Sequence, residues 1–199
     1  MVIDAKALAA RFSNTKILVV DDEHYMRKVV RTMLMSIGIR TVYEAPDGPA
    51  GLELILTQAP DVVILDWEMP GLDGPGFVRM VRSPATFAYP NVPIIMLTGH
   101  GERSRVIEAV QIGVNEFLLK PVSSKALQDR LVSVLAKPRP LVKSGEYYGP
   151  APRRMAAAVL TQPREVVKSG DYYGPVPRKL AAAVHADNDQ AIANLTLVN

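Results

Sequence analysis

The chain has no cysteine in its 199 residues, which excludes disulfides, thiolate-ligated zinc and thiol nucleophiles and makes a reducing compartment its natural setting. Long hydrophobic runs are missing too. No stretch approaches the length needed to cross a bilayer, and the opening MVIDAKALAARF lacks the extended apolar segment of a secretory signal. A soluble, cytoplasmic protein with no membrane partner is expected. Net charge is nearly absent from residues 1–136, where 14 Lys and Arg face 15 Asp and Glu, whereas residues 137–199 hold 9 against 5. The basic excess belongs to the C-terminal third, where it reads either as a solvated polar extension or as an anion-binding segment.

What is present is an apolar fraction of 48%, enough at this length for one well-buried domain plus an appendage. Short apolar runs alternate with helical patterns. Strands are expected over 16–20, 41–45, 61–66, 93–97 and 117–119, and helices over 26–37, 48–56, 74–82, 103–112 and 124–135. In the first helix Met26, Val29, Val30, Met33, Leu34 and Ile37 recur at helical spacing, and Gly38 follows as a C-terminal cap. Five β–α units imply an α/β fold, a doubly wound five-stranded parallel sheet covered on both faces. Residues 1–14 read as an N-terminal extension, 15–136 as the domain and 137–199 as a Pro/Gly-rich, largely disordered tail.

Polar residues sit at the ends of four apolar runs: Asp21 and Asp22 after KILVV, Asp66 ending VVILD, Thr98 ending IIMLT and Lys120 ending EFLLK. Buried parallel strands release their chains into a shared crevice, so these side chains are expected to form one site. Carboxylates suit magnesium, which takes oxygen ligands and keeps several waters. Asp66 is the candidate nucleophile, because a carboxylate attacks phosphorus only where a cation offsets the repulsion between two anions. Lys120 and Thr98 would then meet the phosphoryl oxygens. Each residue alone has a plainer reading: an N-cap with a dipole-complementing charge for Asp21-Asp22, a turn former for Asp66, a loop cap for Thr98, a surface lysine for Lys120. Together those readings demand four unrelated coincidences at one sheet edge.

The succession VVDDEHYMRKVV, VVILDWEMPGLDG, PIIMLTGHG and FLLKP resembles the receiver domain of bacterial two-component response regulators, over about residues 15 to 136. The resemblance implies a flavodoxin-like receiver fold with Asp66 as phosphate acceptor. It implies magnesium held by Asp21, Asp22, Asp66 and the backbone carbonyl of Glu68, with Asp22 the more direct ligand of the acidic pair. It also implies a phosphate-pairing Lys120 ahead of a cis Lys120–Pro121 bond, a switch hydroxyl at Thr98, and an aromatic at Phe117 that turns inward when Thr98 moves; a fixed core aromatic is the plainer alternative for Phe117. Glu68 and His100 correspond to positions that tune acyl-phosphate lifetime, although His100 reads equally as a surface loop residue and, having no ligating partner at helical spacing, is not read as a metal ligand. Activation is expected to be read on the face built from 103–112, 117–119 and 124–135, the family's 4-5-5 face.

The tail contains an internal repeat. LVKSGEYYGPAPRRMAAAV at 141–159 aligns with VVKSGDYYGPVPRKLAAAV at 166–184, with fourteen of nineteen positions identical. Two copies poor in large apolar residues cannot stack as a solenoid, so they read as tandem linear motifs on a mostly disordered arm, with a helical turn or two expected at MAAAV and LAAAV. Tyr147, Tyr148, Arg153 and Arg154, and then Tyr172, Tyr173, Arg178 and Lys179, are the candidate partner-binding residues. A protein groove that recognises the motif twice is preferred; cyclic di-GMP, by analogy with receiver proteins that carry arginine-bearing tails, and a partnerless spacer are the alternatives.

The expected function is that of a phosphorelay response regulator. It would accept a phosphoryl group on Asp66 from a sensor histidine kinase or histidine phosphotransferase and switch protein contacts. No helix-turn-helix, nuclease or cyclase motif follows the domain, so DNA binding is not expected; a homodimer is left open. No enzymatic activity is expected beyond promotion of its own phosphorylation and dephosphorylation. An aspartate-nucleophile phosphatase of the haloacid dehalogenase type would place a second Asp two residues after the nucleophile, at the first strand. Here Asp66 ends the third strand and Trp67-Glu68 follows, so that class is disfavoured. A receiver-like scaffold that is never phosphorylated is the remaining alternative.

Overall fold

The computed structural model describes residues 5–99 and 103–151 and the backbone of two short strands at Val166–Ser169 and Tyr172–Pro175. A helix, α1 (Ala5–Asn14), leads into β1 (Lys16–Val20), α2 (His24–Ser36), β2 (Thr41–Ala45), α3 (Gly48–Gln58), β3 (Val62–Asp66), α4 (Gly74–Val81), β4 (Ile94–Thr98), α5 (Arg103–Gln111), β5 (Glu116–Leu119) and α6 (Ser124–Ala136). The five strands are parallel in the order β2-β1-β3-β4-β5.

Because successive strand residues point to opposite faces, the uniformly apolar strands supply two cores. Ile17, Val19, Ile64, Ile95 and Leu97 meet Val30 and Leu34 of α2 and Leu127 and Leu131 of α6. Leu18, Val20, Val63, Leu65, Ile94 and Met96 meet Ile55 of α3, Phe77 and Val78 of α4 and Ala109 of α5. Helix starts follow local chemistry: Asp47, Asp73 and Ser123 each accept a hydrogen bond from the backbone N–H three residues on, at 2.8, 2.7 and 3.1 Å. Pro49 and Pro75 stand in the first turns of α3 and α4, where a missing N–H costs nothing.

Two regions differ from the expectation. Residues 5–14 are helical, and Phe12, only 1% exposed, plugs the core on the α2–α6 side with Leu8 packed beside it. The second region is the first repeat. Residues Leu141–Ser144 (β6) and Tyr147–Pro150 (β7) form an antiparallel hairpin, not a linear motif. Its physical reason is a two-residue turn, Gly145-Glu146, in which Gly145 takes φ +59 between β-forming flanks. The chain divides into two compact units, Met1–Ala157 and Ala158–Asn199. In the second, β8 (Val166–Ser169) and β9 (Tyr172–Pro175) pair antiparallel from Val166↔Pro175 to Ser169↔Tyr172, the register of β6 and β7 repeated.

Candidate functional site

The strand order reverses between β1 and β3, so the loops leaving their carboxyl ends part to opposite faces of the sheet and open a crevice, the usual ligand position in an open α/β sheet. Asp21 and Asp22 follow β1 and Asp66 ends β3, one on each side of that opening. Each carboxylate offers an oxygen within 4.8 Å of the others; Asp21 and Asp66 are buried and Asp22 is exposed. Thr98 ends β4 and is fully buried. Lys120 follows β5, its backbone N–H donating to the Thr98 carbonyl at 2.7 Å, and the Lys120–Pro121 bond is cis. The carboxylates of Asp21, Asp22 and Asp66 and the Lys120 ammonium thus meet, and Thr98 stands at the end of the strand between β3 and β5.

The electrostatics of the cluster are unequal. Asp21 is committed on both oxygens: Oδ1 accepts from the Glu23 N–H at 2.9 Å and Oδ2 from Lys120 Nζ at 3.2 Å. Lys120 Nζ also lies 2.8 Å from Asp66 Oδ1. Burial raises the Asp66 carboxyl above its ordinary range; the hydrogen bond and charge of Lys120 oppose this, and the charge of Asp21 reinforces it. Burial would lower the Lys120 ammonium, but Asp66, followed by Asp21, overrides burial and leaves it raised. A proton is thus hard to remove from Lys120, while negative charge on Asp66 is held at a cost. Hard oxygen donors at this spacing can hold a divalent cation.

The surroundings lock the cluster in place. Gly74 approaches β3 so closely that a Cβ there would stand 2.4 Å from the Asp66 carbonyl oxygen. Arg27 of α2 donates to the Asp21 and Asp22 carbonyls at 2.7 and 3.2 Å, holding the acidic loop. Arg105 of α5 pairs with Glu68 at 2.8 Å and lies 5.3 Å from the centre of the Trp67 ring, which makes a T-shaped contact with half-buried Phe117, ring centres 6.5 Å apart. The crevice widens into a cavity of about 740 Å³ lined by Asp22, Asp66, Lys120 and the apolar α2 residues Met26, Val29 and Met33.

Arg27, Trp67 and Arg105 were not singled out in the sequence reading. Arg27 could have been found one helical turn past the acidic pair. The Trp67–Arg105 contact joins residues from different elements and leaves no local signal. Among the tail candidates, Tyr148 donates to Asn91 Oδ1 at 2.5 Å and Tyr147 to the Pro150 carbonyl at 2.6 Å, so both are engaged in the first hairpin. His100, Arg153, Arg154, Arg178 and Lys179, the side chains of Tyr172 and Tyr173, and the segments MAAAV and LAAAV lie outside the described residues. No helix among the described residues is long and apolar enough to cross a membrane.

Comparison with known proteins gives a consistent result. The family model described as the response regulator receiver domain matches residues 17–132. The chemotaxis protein CheY-3 of Vibrio cholerae is 33% identical over 124 residues, covering 62% of this chain and 94% of the relative. The crystal structure of V. cholerae CheY4 is 33% identical with a TM-score of 0.56, over 61% of this chain and 98% of that one. A CheX–CheY–BeF3–Mg complex from Borrelia burgdorferi superposes with a TM-score of 0.57 at 25% identity, over 62% of this chain and 90% of that one. The family match ends before the first hairpin.

Proposed function

The chain belongs to the response regulator receiver domain family, CheY-like and part of two-component signalling, and from that premise we propose that Asp66 accepts a phosphoryl group from a histidine kinase or histidine phosphotransferase. In that step an Asp66 oxygen bonds to phosphorus as the donor's P–N bond breaks, leaving the imidazole to take up a proton and Asp66 as an acyl phosphate. The observation that carries the reading is the Lys120 ammonium 2.8 Å from Asp66 within a three-carboxylate cluster.

Magnesium is the cation proposed, held by Asp22, Asp66, Asp21 and the Glu68 backbone carbonyl; when bound it neutralises charge on the transferring oxygens. Asp21, with both oxygens already engaged, chiefly orients its neighbours, and exposed Asp22 is the more direct ligand. Lys120 pairs with a phosphoryl oxygen in place of one of its carboxylates. Thr98 supplies a second donor from β4, between Asp66 and Lys120.

The switch is proposed to act through these two donors. A phosphoryl group adds about 1.5 to 2 negative charges and new acceptor oxygens, drawing Thr98 toward β3. Phe117, already in T-shaped contact with Trp67, then moves inward, and the face of α5, β5 and α6 changes for a downstream protein. Glu68, held by Arg105, and His100 tune the lifetime of the acyl phosphate. The output is protein contact, and the setting is the cytoplasm.

The test is direct. With magnesium and acetyl phosphate, intact mass should rise by one phosphoryl group in the wild type and not in Asp66→Asn. Equal incorporation in both would remove Asp66 from the role, and continuous release of phosphate from a generic phosphoester would favour an enzyme.

A further inference from the structure

The opposite edge of the sheet, away from the carboxylates, holds a second buried polar cluster. Arg82, at the end of α4 and only 5% exposed, donates to the carbonyls of Gly113, Pro90 and Val92 at 2.9, 2.5 and 2.8 Å and to Asn115 Oδ1 at 2.9 Å. Asn115 Oδ1 accepts in turn from the Ile94 N–H at 2.9 Å. The loops entering β4 and β5 are thereby fixed into a rigid platform.

The first repeat sits on it through three residues. Tyr148 donates to Asn91 Oδ1 at 2.5 Å. Arg139 donates to the Asn115 carbonyl and, at 3.0 Å, to the Ala151 carbonyl. Gly149 lies against Gly113 so tightly that a Cβ on it would come within 2.7 Å of the Gly113 Cα, and a Cβ on Gly113 within 2.6 Å of the Tyr148 carbonyl oxygen.

All three residues recur twenty-five positions on. The repeat extends upstream of its obvious start, Pro138-Arg139 matching Pro163-Arg164, so Arg164, Tyr173 and Gly174 align in sequence with Arg139, Tyr148 and Gly149. β8 and β9 keep the same hairpin register. Each chain therefore carries, among its described residues, one such platform, and its sequence holds two copies of the segment that sits on it. Arg139 follows the end of α6 by three residues, so the first repeat holds the platform of its own chain at a high effective concentration.

We propose that the second repeat of one copy docks, as a hairpin, on the platform of a second copy whenever that copy's first repeat has left it. The contacts are those of the first repeat: Arg164 to the Asn115 carbonyl, Tyr173 to Asn91, and Gly174 against Gly113 of the other copy. The result is a link between copies that is blocked while the first repeat stays seated and forms when it leaves.

The experiment uses full-length chains. A labelled variant with Arg139→Ala, Tyr148→Ala and Tyr173→Ala presents a bare platform and no working ligand; it is titrated with the unmodified chain and followed by sedimentation and by the Gly113 and Asn115 amide signals. The expected result is a one-to-one complex that shifts both signals and weakens at least tenfold when the titrant carries Arg164→Ala and Gly174→Val. No complex up to about 1 mM, the scale of effective concentration for a short tether, or equal binding of both titrants, overturns the proposal. A second measurement needs no altered receiver: excess synthetic peptide of residues 162–177 should displace the first repeat of the unmodified chain and shift Gly113, whereas the peptide with Gly174→Val should not. Identical behaviour of the two peptides overturns the proposal as well.

Discussion

The Lys120 ammonium reaches Asp66 at 2.8 Å although β4 lies between their strands. Strands stand about 4.8 Å apart in a sheet, so the contact spans two spacings and needs a long unbranched side chain. Lys120→Met keeps most of that reach and removes the charge, leaving Asp21 and Asp66 buried against each other. The variant should lose about 1–3 kcal/mol of stability by denaturant titration, recover part of it in magnesium, and incorporate phosphoryl at least tenfold more slowly. A variant as stable and as reactive as the wild type would deny Lys120 its place.

Magnesium itself should stabilise the protein. A ligand that binds only the folded state at ten times its dissociation constant adds about 1.4 kcal/mol, visible as a rise in melting temperature. Asp22→Ala should abolish that rise with little change in stability in the absence of magnesium, because Asp22 is exposed. A full magnesium response in Asp22→Ala would move the cation elsewhere.

Much of this site was legible because parallel strands convert a sequence order into a spatial one. Once VVILD, IIMLT and EFLLK are read as strands, Asp66, Thr98 and Lys120 must arrive at one edge. The fold was legible for the same reason, each apolar strand being followed by a helix with a plain face or cap. What stayed hidden depends on contacts between distant segments. Phe12 gave only a single Leu8–Phe12 spacing to announce α1, Arg82 reads as an ordinary helix-end cation, and Gly149 reads as a turn residue until Gly113 is found beneath it. The hairpin was missed because a Pro/Gly-rich composition outweighed a turn signal of two residues.

Trp67 should report the state of the site. It is the chain's one tryptophan, follows Asp66 directly, and touches both Arg105 and Phe117. Beryllofluoride with magnesium should change its emission in the wild type and leave Asp66→Asn unchanged. Arg105→Ala should alter the starting emission while keeping a response, since it removes a cation from the ring face and leaves Asp66 intact. A silent wild-type tryptophan would argue against movement at Phe117.

Gly74 sets the position of Asp66. A methyl group there meets the Asp66 carbonyl oxygen at 2.4 Å and the Trp67 Cα at 2.9 Å, both backbone atoms that cannot swing aside. Gly74→Ala should cost about 2–4 kcal/mol and slow phosphoryl incorporation even in the folded fraction, because β3 must shift relative to Lys120. Unchanged kinetics with reduced stability would confine its role to packing.

The seat of the first hairpin should respond to alkali with a defined sign. Burial lifts the Tyr147 phenol above its ordinary 10.0, with Arg139 and Arg82 pulling the other way. The unfolded chain therefore loses this proton first, and the stability that Tyr147 contributes is complete below pH 10 and drains away as pH climbs through the folded value. Burial takes the neighbouring Arg82 down to about 10, against the pull of Tyr147 and Tyr148, which acts in the opposite sense over the same range. Only a comparison isolates the phenol. Tyr147→Phe, which loses the 2.6 Å hydrogen bond to the Pro150 carbonyl, should be less stable than the wild type by about 1 kcal/mol near pH 8, and the gap should narrow as pH rises past 10. A gap that stays constant or widens would show that Tyr147 is not protonated in its seat.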